Sequence, residues 1–185
     1  SDGAVWCWGN AETEDGEYLV DLWPWGSLTP ELRPGFEDVA MLAHTDESLV
    51  ALMTDGSIVG AGWLLYGPSP LHDPQDSPVA FDPSGAQIDA LFAGWSYVCG
   101  VSAGSGTLSC WGRAPGTGVW NSGRTQADAE TVNFSESVLD AAGGLAFMCA
   151  VLTGGKVSCL GHNHRGQLGR GQLWVPTPTK VITPR

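Results

Sequence analysis

Four glycine-led segments recur along this chain at a nearly constant distance. They are Asp2-Gly3-Ala4-Val5-Trp6-Cys7-Trp8-Gly9, Asp55-Gly56-Ser57-Ile58-Val59-Gly60-Ala61-Gly62, Ser105-Gly106-Thr107-Leu108-Ser109-Cys110-Trp111-Gly112 and Gly154-Gly155-Lys156-Val157-Ser158-Cys159-Leu160-Gly161. The second residue of each is a glycine, and Gly3, Gly56, Gly106 and Gly155 lie 53, 50 and 49 residues apart. A period near 50 residues marks a repeat architecture, in which one supersecondary unit stacks on the next. Composition agrees. The 26 Gly and 12 Pro together make 38 of 185 residues, about 21%, against roughly 12% in an average chain. That many breakers excludes a mainly helical protein. The 43% of apolar residues is still enough to build a core.

Each unit repeats an internal order. An apolar stretch with small residues comes first: Val39–Ala43, Ala90–Gly94, Ala141–Gly144. A second run follows: Leu49–Leu52, Tyr97–Val101, Phe147–Leu152. A tight turn then leads into the glycine-led segment. The runs are short and bounded by glycine, which predicts strands rather than helices. A Pro- and Gly-rich excursion closes each unit and carries a weaker fourth strand, at Pro78–Phe81, Glu130–Phe134 and Thr179–Ile182. Four short antiparallel strands per unit, stacked radially, form the blade of a β-propeller. A β-sandwich competes, but it does not account for the period. The expected fold is therefore all-β, as one repeat domain over 1–185. Its blades fall at about 1–38 (partial), 39–89, 90–140 and 141–185.

Five cysteines sit at repeat positions. Cys99 and Cys110 lie 11 residues apart across a predicted hairpin turn, and Cys149 and Cys159 lie 10 apart at the matching places of the next unit. Both pairs read as cross-strand disulfides, each worth roughly 2–3 kcal/mol in the chain-entropy model. Buried reduced thiols are the competing reading. The close-set spacing of a zinc site is absent. Disulfides imply a secreted, periplasmic or cell-surface protein. Cys7 matches Cys110 and Cys159, and its partner belongs on a strand about ten residues upstream. The chain opens on a turn entering a strand, Ser1-Asp2-Gly3-Ala4-Val5-Trp6, and reads as the middle of something longer.

The last unit carries the most specific motif. Gly161-His162-Asn163-His164-Arg165-Gly166-Gln167-Leu168-Gly169-Arg170-Gly171 resembles the W-G-x-N-x-x-G-Q-L-G-x-G signature of the regulator-of-chromosome-condensation repeat. Cys149–Cys159 is similar to the C-A-L-x-x-D-G-x-V-x-C-W-G part of that repeat, and Cys7-Trp8-Gly9-Asn10 and Cys110-Trp111-Gly112 resemble it in worn form. The paired cysteines resemble those of a secreted bacterial branch of the family. The resemblance covers essentially the whole chain and implies a β-propeller, usually seven-bladed. At about 50 residues per blade such a ring needs roughly 350 residues, so this chain is about half of one. The remainder of the propeller, or another subunit, is expected to close it.

The signature residues are Gly161, Asn163, Gly166, Gln167, Leu168 and Gly169; Gly161, like Gly9 and Gly112, permits a sharp exit from the third strand. Asn163 and Gln167 are placed to hydrogen-bond loop backbone, and Leu168 to pack inward. The founding member of the family activates a small GTPase and binds chromatin. This chain has Ser96-Tyr97 and Ala146-Phe147 where the family usually places a histidine, and its acidity opposes chromatin. The fold carries over, and the exchange activity does not.

Lys and Arg number 8 and Asp and Glu 20, a net charge of −12. Residues 1–92 hold 16 acids and one base, and residues 93–185 hold 4 acids and 7 bases. This balance argues against nucleic acid and against anionic membrane surfaces as partners. No run approaches the ~18 apolar residues of a membrane helix, and the opening residues do not read as a signal peptide. No nucleophile motif occurs. Glu12, Glu14, Asp15, Glu17 and Asp21 do not match a calcium loop, and His162 with His164 lack further metal ligands. No catalytic, cofactor or metal site is expected.

Nine tryptophans remain. Trp8 and Trp111 occupy repeat positions and are expected in the core. Trp23, Trp25, Trp63, Trp120 and Trp174 fall in excursions, and Trp23, Trp25 and Trp120 are candidate partner-binding residues. Asn133-Phe134-Ser135 fits a glycosylation acceptor. The expected function is a non-enzymatic extracytoplasmic scaffold for protein–protein interaction, as part of a larger assembly. The alternatives are a carbohydrate-binding propeller using exposed Trp and a secreted enzyme inhibitor.

Overall fold

A computed structural model describes residues 3–9, 27–45, 48–62, 78–80, 87–102, 104–112, 130–169, 171 and 174–181. Among the described residues every regular element is a strand. β1 (Trp6–Gly9) and β2 (Ser27–Leu32) form a two-stranded sheet. Three four-stranded sheets follow. Counting that pair as the first sheet, the second is β3 (Val39–His44), β4 (Ser48–Met53), β5 (Ile58–Gly62) and β6 (Val79–Ala80). The next is β7 (Ile88–Ala93), β8 (Tyr97–Ser102), β9 (Leu108–Gly112) and β10 (Glu130–Val132). The last is β11 (Val138–Gly143), β12 (Phe147–Leu152), β13 (Val157–His162) and β14 (Trp174–Lys180). Within each sheet, consecutive strands pair antiparallel. This is the four-stranded meander of propeller blades, in an arc that does not close into a ring.

The first strands of neighbouring sheets, β3, β7 and β11, touch one another and form the inner rim. Each carries a register shift one residue in, between Val39 and Met41, Ile88 and Ala90, and Val138 and Asp140. The extra residues, Ala40, Asp89 and Leu139, are exposed. A bulge at the same place in three sheets bends each inner strand alike.

Strand alternation gives every sheet two faces, and most of both is apolar. In the third sheet Tyr97, Cys99, Val101, Leu108, Cys110 and Val132 pack against Val138, Met148, Ala150, Leu152 and Leu160 of the fourth. Its opposite face sets Ile88, Leu91, Val98 and Trp111 against Ala43, Val50, Leu52 and Ile58 of the second. Val5 and Cys7 of the half sheet pack near Leu49, Ala51 and Ala61. Strand β8 is buried along its whole length because a sheet covers each face.

Backbone clips join the sheets at their connectors. Val39 N–H donates to the Gly3 carbonyl at 3.1 Å, and Val138 N–H to the Gly106 carbonyl at 3.0 Å. The Ser137 hydroxyl donates to the Ser105 carbonyl at 2.9 Å. These contacts bear on two of the four periodic glycines, Gly3 and Gly106. Gly106 sits at φ +63°, and a Cβ there would lie 2.4 Å from Ser137 Cβ and 2.8 Å from Val138 N. Gly3, at φ +67°, meets Asp38 and Val39 in the same way. Left-handed backbone and close approach of the next sheet both demand glycine.

Two sequence expectations are corrected. Trp111 is in the core, but Trp8, its counterpart in the half sheet, is 64% exposed. Trp111 lies under the second sheet, whereas no sheet covers Trp8 among the described residues. Trp174 is not in an excursion. It opens β14 opposite His162, because the connection from β13 is only 163–173 and the fourth strand starts early.

Candidate functional site

Cysteine chemistry is laid out by the register. Cys99 stands opposite Cys110 and Cys149 opposite Cys159, and both pairs are bonded. Cys7 is half-buried and unbonded. It faces Glu31 on β2, much as Cys110 faces Glu130 on β10. The fourth strands therefore align in the same way, while β1 has no second-strand neighbour among the described residues.

The signature segment after β13 forms a corner. Asn163 is buried, and its Oδ1 accepts the Leu168 N–H at 2.7 Å. Gln167 Oε1 accepts the Arg165 N–H at 3.0 Å. Gly166 and Gly169 adopt positive φ, of 75° and 63°. Gly166 N–H and Gly169 N–H donate back to Asn163 and Gly166 carbonyls, both at 2.9 Å. Leu168 packs with Cys159 and Val175. Gly161, at φ 111°, is buried within β13 opposite Phe147 and Val175. The His162 ring meets Trp174 edge-on at 4.7 Å, with His164 at 5.7 Å. Among the described residues no three His, Cys, Asp or Glu side chains gather as metal ligands.

Tyr97 occupies the region where the resemblance led to an expected histidine. Its hydroxyl donates to the Phe147 carbonyl of the next sheet at 2.6 Å. Burial pushes the phenol well above its usual range, so it stays a donor. Its ring fills a slot floored by glycine: a Cβ on Gly94 would lie 2.1 Å from the ring, and one on Gly143 would lie 2.3 Å from the hydroxyl. Below, Glu136 joins the connector to the next sheet. It accepts Gly154 N–H at 2.8 Å and pairs with Lys156. The Lys156 hydrogen bond is the main cause holding its carboxyl below the usual range.

The β7–β8 and β11–β12 turns carry exposed apolar side chains at equivalent places. Trp95, in Gly94-Trp95-Ser96, is 53% exposed, and Leu145, in Gly144-Leu145-Ala146, is 56% exposed. The Trp95 N–H donates to the Gly144 carbonyl at 3.2 Å, which sets the two turns side by side. The third strands end at this same edge, since Gly62 pairs with Ser48, Gly112 with Tyr97 and Gly161 with Phe147. Sequence reading did not single out Trp95 or Leu145. Their one signal was an apolar residue directly after the glycine that ends each first strand. Trp23, Trp25, Trp63 and Trp120 lie outside the described residues. On the inner rim Asp89 and Asp140 are exposed, so the first strands are less uniformly apolar than the short runs implied.

No family model and no curated protein matches the chain in sequence. Solved structures do match. Human WBSCR16 superposes with a TM-score of 0.75 at 22% identity, over 99% of this chain and 49% of that one. Yeast RCC1 (Prp20) bound to Kap60 gives 0.69 at 19% identity, over 98% and 45%. Prp20p from Saccharomyces cerevisiae, described with its binding to Gsp1p and histones, gives 0.69 at 20%, over 97% and 46%. The chain thus has the fold of RCC1-type β-propellers and spans about half the length of these neighbours. At such identities the likeness is one of fold.

Proposed function

We propose that this chain is part of a non-enzymatic propeller scaffold that works outside the reducing cytosol and binds a protein partner. The contact is made through the end of the arc that carries the Trp95 and Leu145 turns. The observation behind this reading is the pair of large apolar side chains, each more than half exposed, held side by side in turns joined by the Trp95 N–H to Gly144 carbonyl bond. Exposed aromatic and aliphatic anchors on a fixed frame are what a binding surface needs. Fold neighbours support it as well, since yeast RCC1 is seen bound to Kap60 and Prp20p binds Gsp1p and histones. The extracytoplasmic setting is supported by the two cross-strand disulfides, which persist in oxidising compartments.

The test uses the chain and its Trp95→Asp/Leu145→Asp variant as baits against the exported proteins of the source cell. A partner retained by the parent and by Trp8→Ser, but lost with the double variant, fits the proposal. Equal retention by the double variant contradicts it. Differential alkylation of protein taken from the source cell tests the setting. Cys99, Cys110, Cys149 and Cys159 are expected to be blocked, and labelling of any of them before reduction overturns it.

A further inference from the structure

The end of the arc that carries the Trp95 and Leu145 turns differs in charge from the opposite end. Beside Leu145, the Ala146 carbonyl accepts the His162 N–H at 2.8 Å. That bond sets the signature corner next to the β11–β12 turn. The corner is held from within, since Gln167 Oε1 accepts the Arg165 N–H and Asn163 Oδ1 accepts the Leu168 N–H. His164 and Arg165 are exposed on it. Trp95, Leu145, His164 and Arg165 therefore share one edge, with the apolar anchors on one side and the basic corner on the other. Among the described residues no acid stands at this edge. Arg165 has no ion pair among the described residues, whereas Arg33 pairs with Glu31 and Lys156 with Glu136. The opposite end is acidic: Glu37, Asp38, Asp55, Asp89, Glu136 and Asp140 stand in its turns or near the starts of β3, β7 and β11. Residues 93–185, which include both apolar turns and the corner, hold 7 bases against 4 acids.

We infer that the partner of this edge is an acidic protein segment with a large apolar side chain next to its carboxylates. The inference rests on the binding surface proposed above and names the chemistry that fits it. The apolar side chain packs on Trp95 and Leu145 and removes both from water. A neighbouring Asp or Glu reaches Arg165, whose planar guanidinium takes a carboxylate through two parallel N–H donors. His164 adds a ring N–H donor beside it. A basic segment would meet no acid among the described residues of this edge and would face Arg165 with like charge. The acidic opposite end repels an acidic segment, so charge directs that segment to this edge and fixes its orientation.

A displayed library of random linear peptides, panned on the whole chain, supplies the probes. Peptides retained by the parent and lost with Trp95→Ser/Leu145→Ser are sequenced. They are expected to carry Asp and Glu above their library frequency, next to Leu, Phe or Trp, and Lys and Arg below theirs. Arg165→Glu should weaken the best of them roughly tenfold in low salt and much less in high salt. Copies with lysine in place of each acid should bind Arg165→Glu more tightly than they bind the parent. Anchor-dependent peptides without acidic bias, or with equal affinity for Arg165→Glu and the parent, overturn the acidic partner and leave the Trp95–Leu145 surface standing. If no selected peptide depends on the anchors, that surface falls and the inference falls with it. A dimer of the chain alone in sedimentation, lost with Arg165→Glu, overturns the foreign partner in favour of the acidic half of a second copy.

Discussion

Trp8 and Trp111 stand in the same tripeptide, Cys-Trp-Gly, on equivalent strands. One is 64% exposed and the other is fully buried. The main difference is not in the strands, which set their cysteines opposite the same fourth-strand position, although the β1–β2 ladder shifts register between Cys7 and Gly9. It lies in the neighbour: Trp111 has the second sheet over it. Cys7 and Cys110 repeat the contrast in covalent form, because among the described residues only Cys110 has a second strand beside it to supply a thiol. In a stacked repeat, burial is a property of adjacent units rather than of a motif.

The contrast can be broken most forcefully at the tryptophans. Trp111→Ala is expected to cost about 3–5 kcal/mol in denaturant unfolding, the range for large core truncations. Trp8→Ala should stay within about 0.5 kcal/mol, as for surface positions. Equal losses would mean that Trp8 is covered after all.

Next in size are the disulfides. Removing Cys99–Cys110 by double substitution to Ala should cost roughly 2–3 kcal/mol from loop entropy, plus the packing lost between two covered faces. Cys149–Cys159 closes a loop of similar length, but Cys149 is only half-buried. Its removal should therefore cost less. A larger loss at Cys149–Cys159 would reverse the ranking of covered over uncovered faces.

Tyr97→Phe sharpens the account of sheet-to-sheet contact. It keeps the ring in its glycine slot and deletes the hydrogen bond to Phe147, with an expected cost of about 1–2 kcal/mol. No loss would show that the bond between sheets adds nothing.

The smallest effect concerns pH. The Glu136 carboxyl is held below its ordinary value of 4.5 by Lys156 and Gly154. A lowered folded-state pKa stabilises above the unfolded value, and that contribution is lost as pH falls through the folded value. Glu136 is half-buried at the surface and still open to solvent screening, so the loss is slight. Glu136→Gln should flatten the stability profile of the parent below pH ~4.5. An unchanged profile would remove Glu136 from the clip.

Much of this was legible because its chemistry is periodic. The glycines recur because each repeat turn needs left-handed backbone, and at Gly3 and Gly106 the next sheet also lies against the turn. The cysteine pairs were readable because a hairpin of that length sets them opposite each other. Trp8 was not, since nothing in Cys-Trp-Gly records whether another sheet lies above it. Trp174 was misplaced because the weak fourth strand has no alternation to mark where it starts. Trp95 and Leu145 went unnoticed since one apolar residue in a turn has no period to announce it. For Asn163, Gln167 and Leu168 the motif and the corner geometry can be followed residue by residue, whereas Trp23, Trp25 and Trp120 fall outside the described residues.

Hydrogen exchange on the whole chain, read amide by amide on β1 and β9, tests most directly whether neighbours make the difference. β9 pairs with β8 and β10, while among the described residues β1 pairs with β2 alone. Protection is predicted along all of β9, and on β1 only at amides directed toward β2. Protection of every β1 amide to the level of β9 would contradict the account.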